Sequence, residues 1–361
     1  MKTILAALEF PPAFGGVENY YQNLANFWPD EFIVLDNSEN KLLSKNALTL
    51  KWLKGFFTIL STAKKAQPDW VIVGEILPIG TATYLASFFA SFKYAVFLHG
   101  LDFSMATKSA WKKFITKKIL KRAKLILCAN SKTAELVNAF IGANSKVKIV
   151  NPGINPQLPL IRPELVSGLR NNYGLAGNKV LISIGRLVKR KGVSDVLAVL
   201  PEILLEQENI RYIIIGNGPE ENNIKKLLAD PALKSRVFLL SNVSEEEKWA
   251  WLELSDIFVL PTSEINGDYE GFGIVYLEAN LFSKPVIATR SGGVADAVVD
   301  GLNGRLIEAG DAMALKQAII ELTNNRELCS KLGQQGKTRA LKDFAWSDKV
   351  KTIYELLKEN I

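Results

Sequence analysis

The sequence predicts an α/β protein built from two doubly wound parallel-sheet domains that face each other across a cleft. Three observations lead to this fold class. The chain has 361 residues, which is enough for two domains of ordinary size. Short apolar segments alternate with helical patterns, as is typical of parallel α/β sheets. A stretch with Pro156, Pro159 and Pro163 interrupts this alternation before it starts afresh.

The first domain is predicted over residues 1–155. Its strands are expected at six apolar segments: Thr3–Leu8, Phe32–Leu35, Trp70–Val73, Tyr94–Leu98, Leu125–Cys128 and Val147–Val150. Helical patterns such as Glu18–Phe27 and Ala134–Phe140 lie between them. The 17 uncharged residues of Ile76–Phe92 fall short of the ~20 that cross a bilayer, so they predict a buried helix.

The second domain is predicted over residues 160–342. Its strands are expected at Val180–Ile184, Arg211–Ile215, Val237–Leu239, Ile257–Leu260 and Val286–Ala288. A last helix is expected within residues 343–361, with Ser347 as its N-cap. In sheets of this kind, ligands bind beyond the carboxyl ends of the strands.

Composition excludes several kinds of site. The two cysteines, Cys128 and Cys329, lie in different halves of the chain, which rules out a disulfide scaffold and a thiolate zinc site. His99 is the single histidine, and no D-x-D run occurs. We therefore expect no metal and no cofactor. The first apolar run ends at Glu9 without a cleavage site, so no signal peptide is expected and a cytoplasmic location is favoured.

The charge of the chain is uneven. Residues 1–160 carry 19 Lys and Arg against 10 Asp and Glu, a net charge of +9, whereas the remainder carries −2. A basic half suggests an anionic partner. Nucleic acid is not expected, because no recognition motif accompanies the charge.

An anionic membrane surface is the expected partner of the basic half, through the predicted helix at 107–122. Its apolar side is expected to comprise Trp111, Phe114, Ile115 and Ile119, beside a stripe of Lys113, Lys117 and Lys121. Cationic amphipathic segments of this kind lie on anionic membranes. The segment Lys51–Phe57 is a second candidate. The alternative is a helix that packs its apolar side on the sheet and leaves its lysines solvated.

The most specific stretch of the sequence is Asp268–Ala279. Glu270 and Glu278 stand eight positions apart, around a glycine-rich turn and the start of an apolar helix. Gly271 and Gly273 let the backbone approach a ligand, and free N–H groups at a helix start suit a phosphate. Glu270 can accept hydrogen bonds from a group attached to that phosphate, and Glu278 from ribose hydroxyls. Alternatively, Glu278 is satisfied by a lysine or the backbone, and Glu270 is merely solvated.

Three other turns follow predicted strands. Arg186 and Lys191 place two cations after a strand end, which suits a diphosphate, although a plain basic loop is the alternative. Gly216–Glu220 is a weak dinucleotide fingerprint, because a glutamate replaces its third glycine. Phe14-Gly15-Gly16-Val17-Glu18 opens a helix, so Gly16 can bring backbone amides to a phosphate, with a plain turn as the alternative.

These stretches resemble the retaining, nucleotide-sugar-dependent glycosyltransferases of family 4, which have the GT-B fold. The resemblance covers nearly the whole chain and is strongest over residues 178–310. It rests on the E-x7-E pair, the G-R-L-x-x-x-K-G element at Gly185–Gly192, the G-x-G-P-E turn, Ser291-Gly292-Gly293, and Phe344-Ala345-Trp346. The last of these resembles the segment that returns to the N-terminal domain in this fold. The form of the E-x7-E element is similar to the bacterial phosphatidylinositol mannosyltransferase branch.

The resemblance implies a role for each matching residue. Arg186 and Lys191 would neutralise the donor diphosphate and stabilise it as it leaves. Glu278 would hold the ribose and Glu270 the hydroxyls of the donor sugar. The backbone amides of Phe272, Gly273, Ile274 and Val275 would serve the sugar and phosphate.

The remaining implied contacts come from three other places. Gly16 would approach the diphosphate, and His99 would touch the donor sugar unless it is a purely structural histidine. Backbone groups of Asn242 and Val243 would recognise the base. Here Ser241-Asn242 replaces the glycine usual in the family.

The expected function is that of a retaining, metal-independent hexosyltransferase. It would use a GDP- or UDP-sugar as donor and a lipid-linked or cell-envelope glycan as acceptor, at the inner face of the cytoplasmic membrane. Two other classes stay open. One is a GT-B-like sugar-nucleotide epimerase, for which a single histidine leaves few acid–base groups. The other is a non-catalytic sugar-nucleotide-binding protein.

Overall fold

The chain folds into two compact α/β units. A computed structural model describes residues 1–11, 15–38, 40–43 and 50–361. One unit is made of Met1–Gly153 with Phe344–Ile361, and the other of Ile154–Asp343. Each unit contains a six-stranded parallel sheet with helices along the chain between its strands. The predicted fold class, two doubly wound α/β units, is therefore confirmed.

The first sheet has the strand order β2-β1-β3-β4-β5-β6, and all its neighbouring strands are parallel. Its strands are β1 (Thr3–Ala6), β2 (Phe32–Leu35), β3 (Trp70–Val73), β4 (Lys93–Leu98), β5 (Leu125–Cys128) and β6 (Val147–Ile149). On β1, Ile4 and Ala6 join one apolar cluster and Leu5 joins another. Burial on both faces explains why the central strands are continuous apolar runs.

In the described part of the first unit, six helices connect these strands. They are α1 (Gly16–Asn26), α2 (Leu53–Ala66), α3 (Ile79–Ala86), α4 (Leu101–Ala106), α5 (Ala110–Arg122) and α6 (Ser131–Ile141). Ser109 and Asn130 start α5 and α6 by accepting hydrogen bonds from backbone N–H groups in the first turn. Six of the eight residues of α3 are buried. Among the helices of the described ranges, none has the length and hydropathy of a membrane-crossing segment.

Helix α5 buries only part of the apolar side that the sequence predicted for residues 107–122. Its buried residues are Thr116, Ile119 and Leu120. In contrast, Trp111 is 66% exposed and Phe114 is 63% exposed. At 3.6 residues per turn, a buried stripe centred on Thr116 places Trp111 and Phe114 on the opposite side of the helix. By the same spacing the four apolar residues occupy one arc of the helix, of which the edge at Ile119 is buried and the edge at Trp111 and Phe114 is exposed.

The second sheet has the order β12-β11-β10-β7-β8-β9, again all parallel. Its strands are β7 (Lys179–Ile184), β8 (Ile210–Ile215), β9 (Val237–Leu240), β10 (Ile257–Leu260), β11 (Val286–Thr289) and β12 (Gly304–Ile307). The sequence analysis missed β12. It is a four-residue edge strand that begins with glycine and buries only alternate residues, so its apolar signal is short.

The helices of the second unit complete its two layers. They are α7 (Pro163–Asn172), α8 (Val193–Glu206), α9 (Glu221–Leu227), α10 (Glu245–Leu254), α11 (Ile274–Leu281), α12 (Val294–Ala297), α13 (Ala312–Asn324) and α14 (Arg326–Asp343). A 3₁₀ turn, Lys189–Lys191, precedes α8.

The last helix, α15 (Trp346–Lys358), belongs to the first unit. Its N-cap is Ala345, so the prediction of Ser347 as N-cap is wrong. The helix begins earlier because Trp346 is buried, with its ring edge-on to Tyr20 at a centroid distance of 4.9 Å. Val350 and later apolar residues of α15 lie in the same cluster as Tyr20.

Candidate functional site

Four loops meet at the carboxyl edge of the second sheet. The strands β10, β7, β8 and β9 are neighbours in that order, and all run in the same direction. The loop after each therefore leaves the sheet at the same edge. These loops carry Arg186 and Lys191 after β7, Gly216 after β8, Asn242 after β9 and Glu270 after β10. The strand order thus brings together the predicted residues of the second unit.

The glycines after β8 allow two of these loops to pack closely. A Cβ atom at Gly216 would collide with the carbonyl oxygen of Gly185, and one at Gly218 with that of Leu187. The Leu187 N–H also donates to the carbonyl oxygen of Asn217 at 2.8 Å. Loop-to-loop contact therefore explains both glycines without a dinucleotide fingerprint.

Glu270 is a buried carboxylate held by two cations. Its Oε2 lies 2.5 Å from Lys191 Nζ and 2.8 Å from Arg190 Nη1. The Glu270 side chain is 11% exposed and the Lys191 side chain 12%. Burial alone would raise the pKa of Glu270, but Lys191 and Arg190 outweigh it and hold that pKa below the ordinary value. The alternative of a merely solvated Glu270 is wrong.

The two cations predicted for a diphosphate differ in their surroundings. Lys191 is paired with Glu270, whereas Arg186 is exposed and makes no ion pair with any residue in the described ranges. Sequence analysis missed Arg190, which also lies 3.1 Å from Asp268 through its Nε. Its signal was present in the run Lys189–Lys191, but nothing in the run shows which side chain turns inward.

Helix α11 starts next to Glu270 with unused backbone donors. Gly273 is its N-cap, with a left-handed backbone at φ 79° and no capping side chain. The first N–H groups of a helix, here those of Ile274 and Val275, have no acceptor within the helix. Phe272 is buried beside this start. This arrangement suits an anion, as the sequence predicted.

Glu278 is the fifth residue of α11, and Lys248 of α10 approaches it. The distance from Lys248 Nζ to Glu278 Oε1 is 3.4 Å. Burial raises the pKa of Glu278, Lys248 lowers it, and the Glu245 carboxylate raises it again, so that it lies above the ordinary value. The alternative of a lysine partner for Glu278 is therefore what the structure shows, and sequence spacing gave no signal for Lys248.

Asn242 adopts the conformation that a glycine would adopt easily. Its φ is 58°, in the left-handed region, where asparagine is tolerated better than most residues. Its Oδ1 accepts a hydrogen bond from Asn217 Nδ2 at 3.2 Å, which joins the loops after β8 and β9. Val243 follows it, just before the capping box that starts α10 at Ser244.

In the first unit, His99 lies at the end of β4 among aromatic rings. Its Nε2 is 2.9 Å from the hydroxyl of Tyr21, which itself donates to the carbonyl oxygen of Gly74 at 2.6 Å. Tyr21 therefore accepts from His99, whose Nδ1 carries the lone pair. Burial lowers the pKa of His99 to about 3, so the ring stays neutral. Its predicted contact with a donor sugar stays a prediction.

Two further features of the first unit concern the loop between β1 and α1. Gly16 is exposed, and a Cβ atom there would meet nothing within 4 Å. Phe14 lies outside the described residues.

Glu75 accepts hydrogen bonds from the N–H groups of Leu8 at 3.0 Å and Glu9 at 3.2 Å. Burial raises the pKa of Glu75 to about 8. Sequence analysis missed this carboxyl group.

No cluster of three or more His, Cys, Asp or Glu side chains in the described part of the chain is arranged to hold a metal ion. Metal independence nevertheless stays a prediction.

Two family models match the chain. "Glycosyl transferases group 1" matches residues 169–339, and "Glycosyl transferase 4-like" matches residues 33–130. Together they cover most of both sheets. The chain belongs to the family 4 glycosyltransferases. The predicted family is thus confirmed, and the roles of the individual site residues stay predictions.

Relatives and solved structures agree with this family. A GDP-mannose-dependent alpha-(1-6)-phosphatidylinositol monomannoside mannosyltransferase of Mycolicibacterium smegmatis is 29% identical over 62% of this chain and 59% of its own length. An uncharacterized glycosyltransferase of Methanocaldococcus jannaschii is 27% identical over 99% of each chain. Anabaena HepE, solved in complex with UDP, matches with a TM-score of 0.83 at 20% identity over 99% of this chain and 100% of its own. The similarity of this chain to the HepE structure shows that the chain has the GT-B fold.

Proposed function

We propose that this glycosyltransferase moves a hexose from a nucleoside-diphosphate sugar to a lipid-linked or cell-envelope glycan. The observation that carries the proposal is how the two carboxylate oxygens of Glu270 are partnered. Both cations contact its Oε2, and no described residue donates a hydrogen bond to its Oε1. A buried carboxylate is thereby fixed with one acceptor oxygen left for a ligand hydroxyl. Such an oxygen beside cations suits a sugar attached to a diphosphate.

The same residues account for the proposed chemistry. Lys191 and Arg186 stabilise the charge that grows on the diphosphate as the bond to the sugar breaks. The free N–H groups of Ile274 and Val275 add to this stabilisation. The departing phosphate then takes the proton of the acceptor hydroxyl on the face that it leaves, so the product retains the α configuration. No metal takes part in these steps.

GDP- and UDP-sugars are the two donors to compare. The mycobacterial relative is named as GDP-mannose-dependent, and Anabaena HepE binds UDP in its solved structure. Within the second unit, the backbone of Asn242 and Val243 is proposed to contact the base. Glu278 is proposed to bind the ribose in exchange for its long 3.4 Å contact with Lys248.

The acceptor is proposed to be presented at the inner face of the cytoplasmic membrane. Trp111 and Phe114 expose their rings on α5, on the same helix as the exposed Lys113, Lys117 and Lys121. Phe57 of the second predicted segment is exposed as well. Aromatic rings and lysines together favour the interface of an anionic bilayer.

The test compares two glutamates that are proposed to bind different parts of the donor. Glu278→Gln should weaken binding of UDP or GDP about tenfold, the loss of one charged hydrogen bond of ~1.5 kcal/mol. Glu270→Gln should leave that binding within about twofold and lower transfer from UDP-glucose or GDP-mannose at least tenfold. The matched control is Glu264→Gln, because Glu264 is exposed on the same loop. Calorimetry and product analysis supply both readouts.

Product analysis also separates the alternatives. Transfer that survives EDTA and yields an α-linked product supports the proposal. An epimerised sugar nucleotide would indicate the epimerase, and binding without any product would indicate the non-catalytic protein. A β-linked product, or activity that requires an added divalent metal, would overturn the proposed mechanism.

A further inference from the structure

Arg190 lies between two carboxylates at the edge of the candidate site. Its Nη1 is 2.8 Å from Glu270 Oε2, and its Nε is 3.1 Å from Asp268 Oδ2. Its own carbonyl oxygen accepts a hydrogen bond from the N–H of Ser263 at 2.7 Å, so the backbone is held too. The Arg190 side chain is 21% exposed. A planar guanidinium fixed by two carboxylates has little freedom to turn toward a third partner.

Lys191 has a different kind of contact with Glu270. It is a single ammonium at the end of a flexible stem, and it pairs with the same oxygen that Arg190 contacts. A bound diphosphate would bring a stronger negative charge than one carboxylate. Because a lysine ammonium is a mobile point charge, it is the cation that can exchange Glu270 for the phosphate.

If Lys191 were the sole partner of Glu270, that exchange would leave the Glu270 carboxylate buried without a cation. A buried carboxylate without a partner is costly, and it responds by taking up a proton or turning away. Either response would remove the acceptor oxygen offered to the sugar. Arg190 prevents this, since its contact with Glu270 does not depend on Lys191.

We propose that Arg190 is a positioning residue, which keeps Glu270 ionised and oriented toward the donor sugar after Lys191 has turned to the diphosphate. This inference rests on the proposed function. It assigns the two cations of one turn to separate tasks: Lys191 binds the leaving group, and Arg190 holds the carboxylate. Asp268 anchors the far side of the guanidinium, so that Arg190 does not follow Lys191.

The test uses Arg190→Gln in the full chain, with Lys189→Gln as the matched control. Lys189 is exposed on the same turn and forms no ion pair with the residues that the structure describes. Binding of UDP and GDP is measured by calorimetry, and kcat and KM are measured with UDP-glucose or GDP-mannose, whichever the wild type uses. Arg190→Gln should lower kcat at least about tenfold and change the nucleotide Kd less than about threefold, whereas Lys189→Gln should change neither beyond about twofold.

A pH profile separates positioning from a general loss of structure. Lys191, Arg190, Asp268 and Tyr276 are the charged and titratable groups around Glu270. Removing one cation partner raises the pKa of a carboxyl group. The acid limb of kcat/KM should therefore move to higher pH in Arg190→Gln. In Arg190→Lys, which keeps the charge, the limb should stay near its wild-type position while kcat still falls.

Each outcome decides the matter. If the wild type turns over no donor, the proposed function fails, and this inference fails with it. If the wild type is active but Arg190→Gln matches Lys189→Gln in kcat and pH profile, only the inference fails. If Arg190→Gln loses nucleotide binding as strongly as it loses turnover, Arg190 serves the diphosphate or the fold, and the positioning role is refuted.

Discussion

Gly192 offers the sharpest test of how the backbone positions Lys191. It ends the 3₁₀ turn that carries Lys191 and starts α8, with φ at 71° in the left-handed region. A Cβ atom there would fall well inside 3.0 Å of the Pro261 carbonyl oxygen, a separation that real Cβ atoms essentially never show. Gly192→Ala therefore combines backbone strain with a collision against rigid backbone.

Gly177 separates these two costs. Its φ is also 71°, it lies in the same unit, and a Cβ atom there would meet nothing within 4 Å. A left-handed alanine costs about 1 kcal/mol at either position. Overpacking adds ~1–3 kcal/mol at Gly192 alone. Gly177→Ala should thus lower the free energy of unfolding by about 1 kcal/mol, and Gly192→Ala by roughly 2–4 kcal/mol.

Thermal unfolding converts this difference into a measurable shift. One kcal/mol corresponds to about 2–4 °C for a unit of 150–250 residues. Gly192→Ala should therefore melt at least twice as far below the wild type as Gly177→Ala does. It should also lose donor turnover, because the turn that relaxes the collision carries Lys191 away from Glu270. Equal melting temperatures for the two variants would refute the claim that the approach to Pro261 is rigid.

Two other predictions concern the first unit. Burial raises the pKa of Glu75 from 4.5 to about 8, so the folded protein keeps a proton that the unfolded chain releases. Its contribution to stability is complete below pH 4.5 and is lost as the pH rises toward 8. The melting temperature of the wild type should fall relative to that of Glu75→Gln across this pH window. If the melting temperatures of the two proteins change in parallel with pH, burial does not raise the pKa of Glu75. The second prediction is that reversing Lys113, Lys117 and Lys121 to Glu abolishes co-sedimentation with phosphatidylglycerol vesicles at low salt, because each basic residue near the surface contributes about 1 kcal/mol. UDP and GDP binding should be unaffected, and vesicle binding that ignores both salt and charge reversal would show that these lysines are simply solvated.

The sheets could be predicted well because their central strands are buried on both faces. Runs such as Trp70–Val73 and Ile257–Leu260 are apolar throughout, and the structure gives both with the predicted bounds. The edge strand β12 buries alternate residues, so its sequence resembles a loop. For helix α5, the sequence shows the apolar residues but does not show which of them are buried. Their burial depends on α3 and α4, which contact α5 from other parts of the chain.

The candidate site could be predicted only where its residues lie close together in sequence. Local sequence patterns predict Glu270 and Lys191, and the structure places their charged groups 2.5 Å apart. The sequence does not predict Arg190, because three consecutive cations cannot be distinguished until the turn that carries them has formed. It does not predict Lys248, because the contact of Lys248 with Glu278 requires α10 and α11 to lie side by side. Charge complementarity between distant segments is thus what a single sequence conceals.

The departure from the family pattern at Asn242 has a physical explanation. Glycine is usual there in the family, whereas this chain has Ser241-Asn242. The structure gives Asn242 a φ of 58°, so the backbone takes the left-handed form that a glycine would adopt easily. Asparagine tolerates this form because its short amide bonds locally, here with Asn217 of the neighbouring loop. Since the proposed contacts with the base use backbone groups, what they require is this conformation, and the residue type can change while the conformation stays.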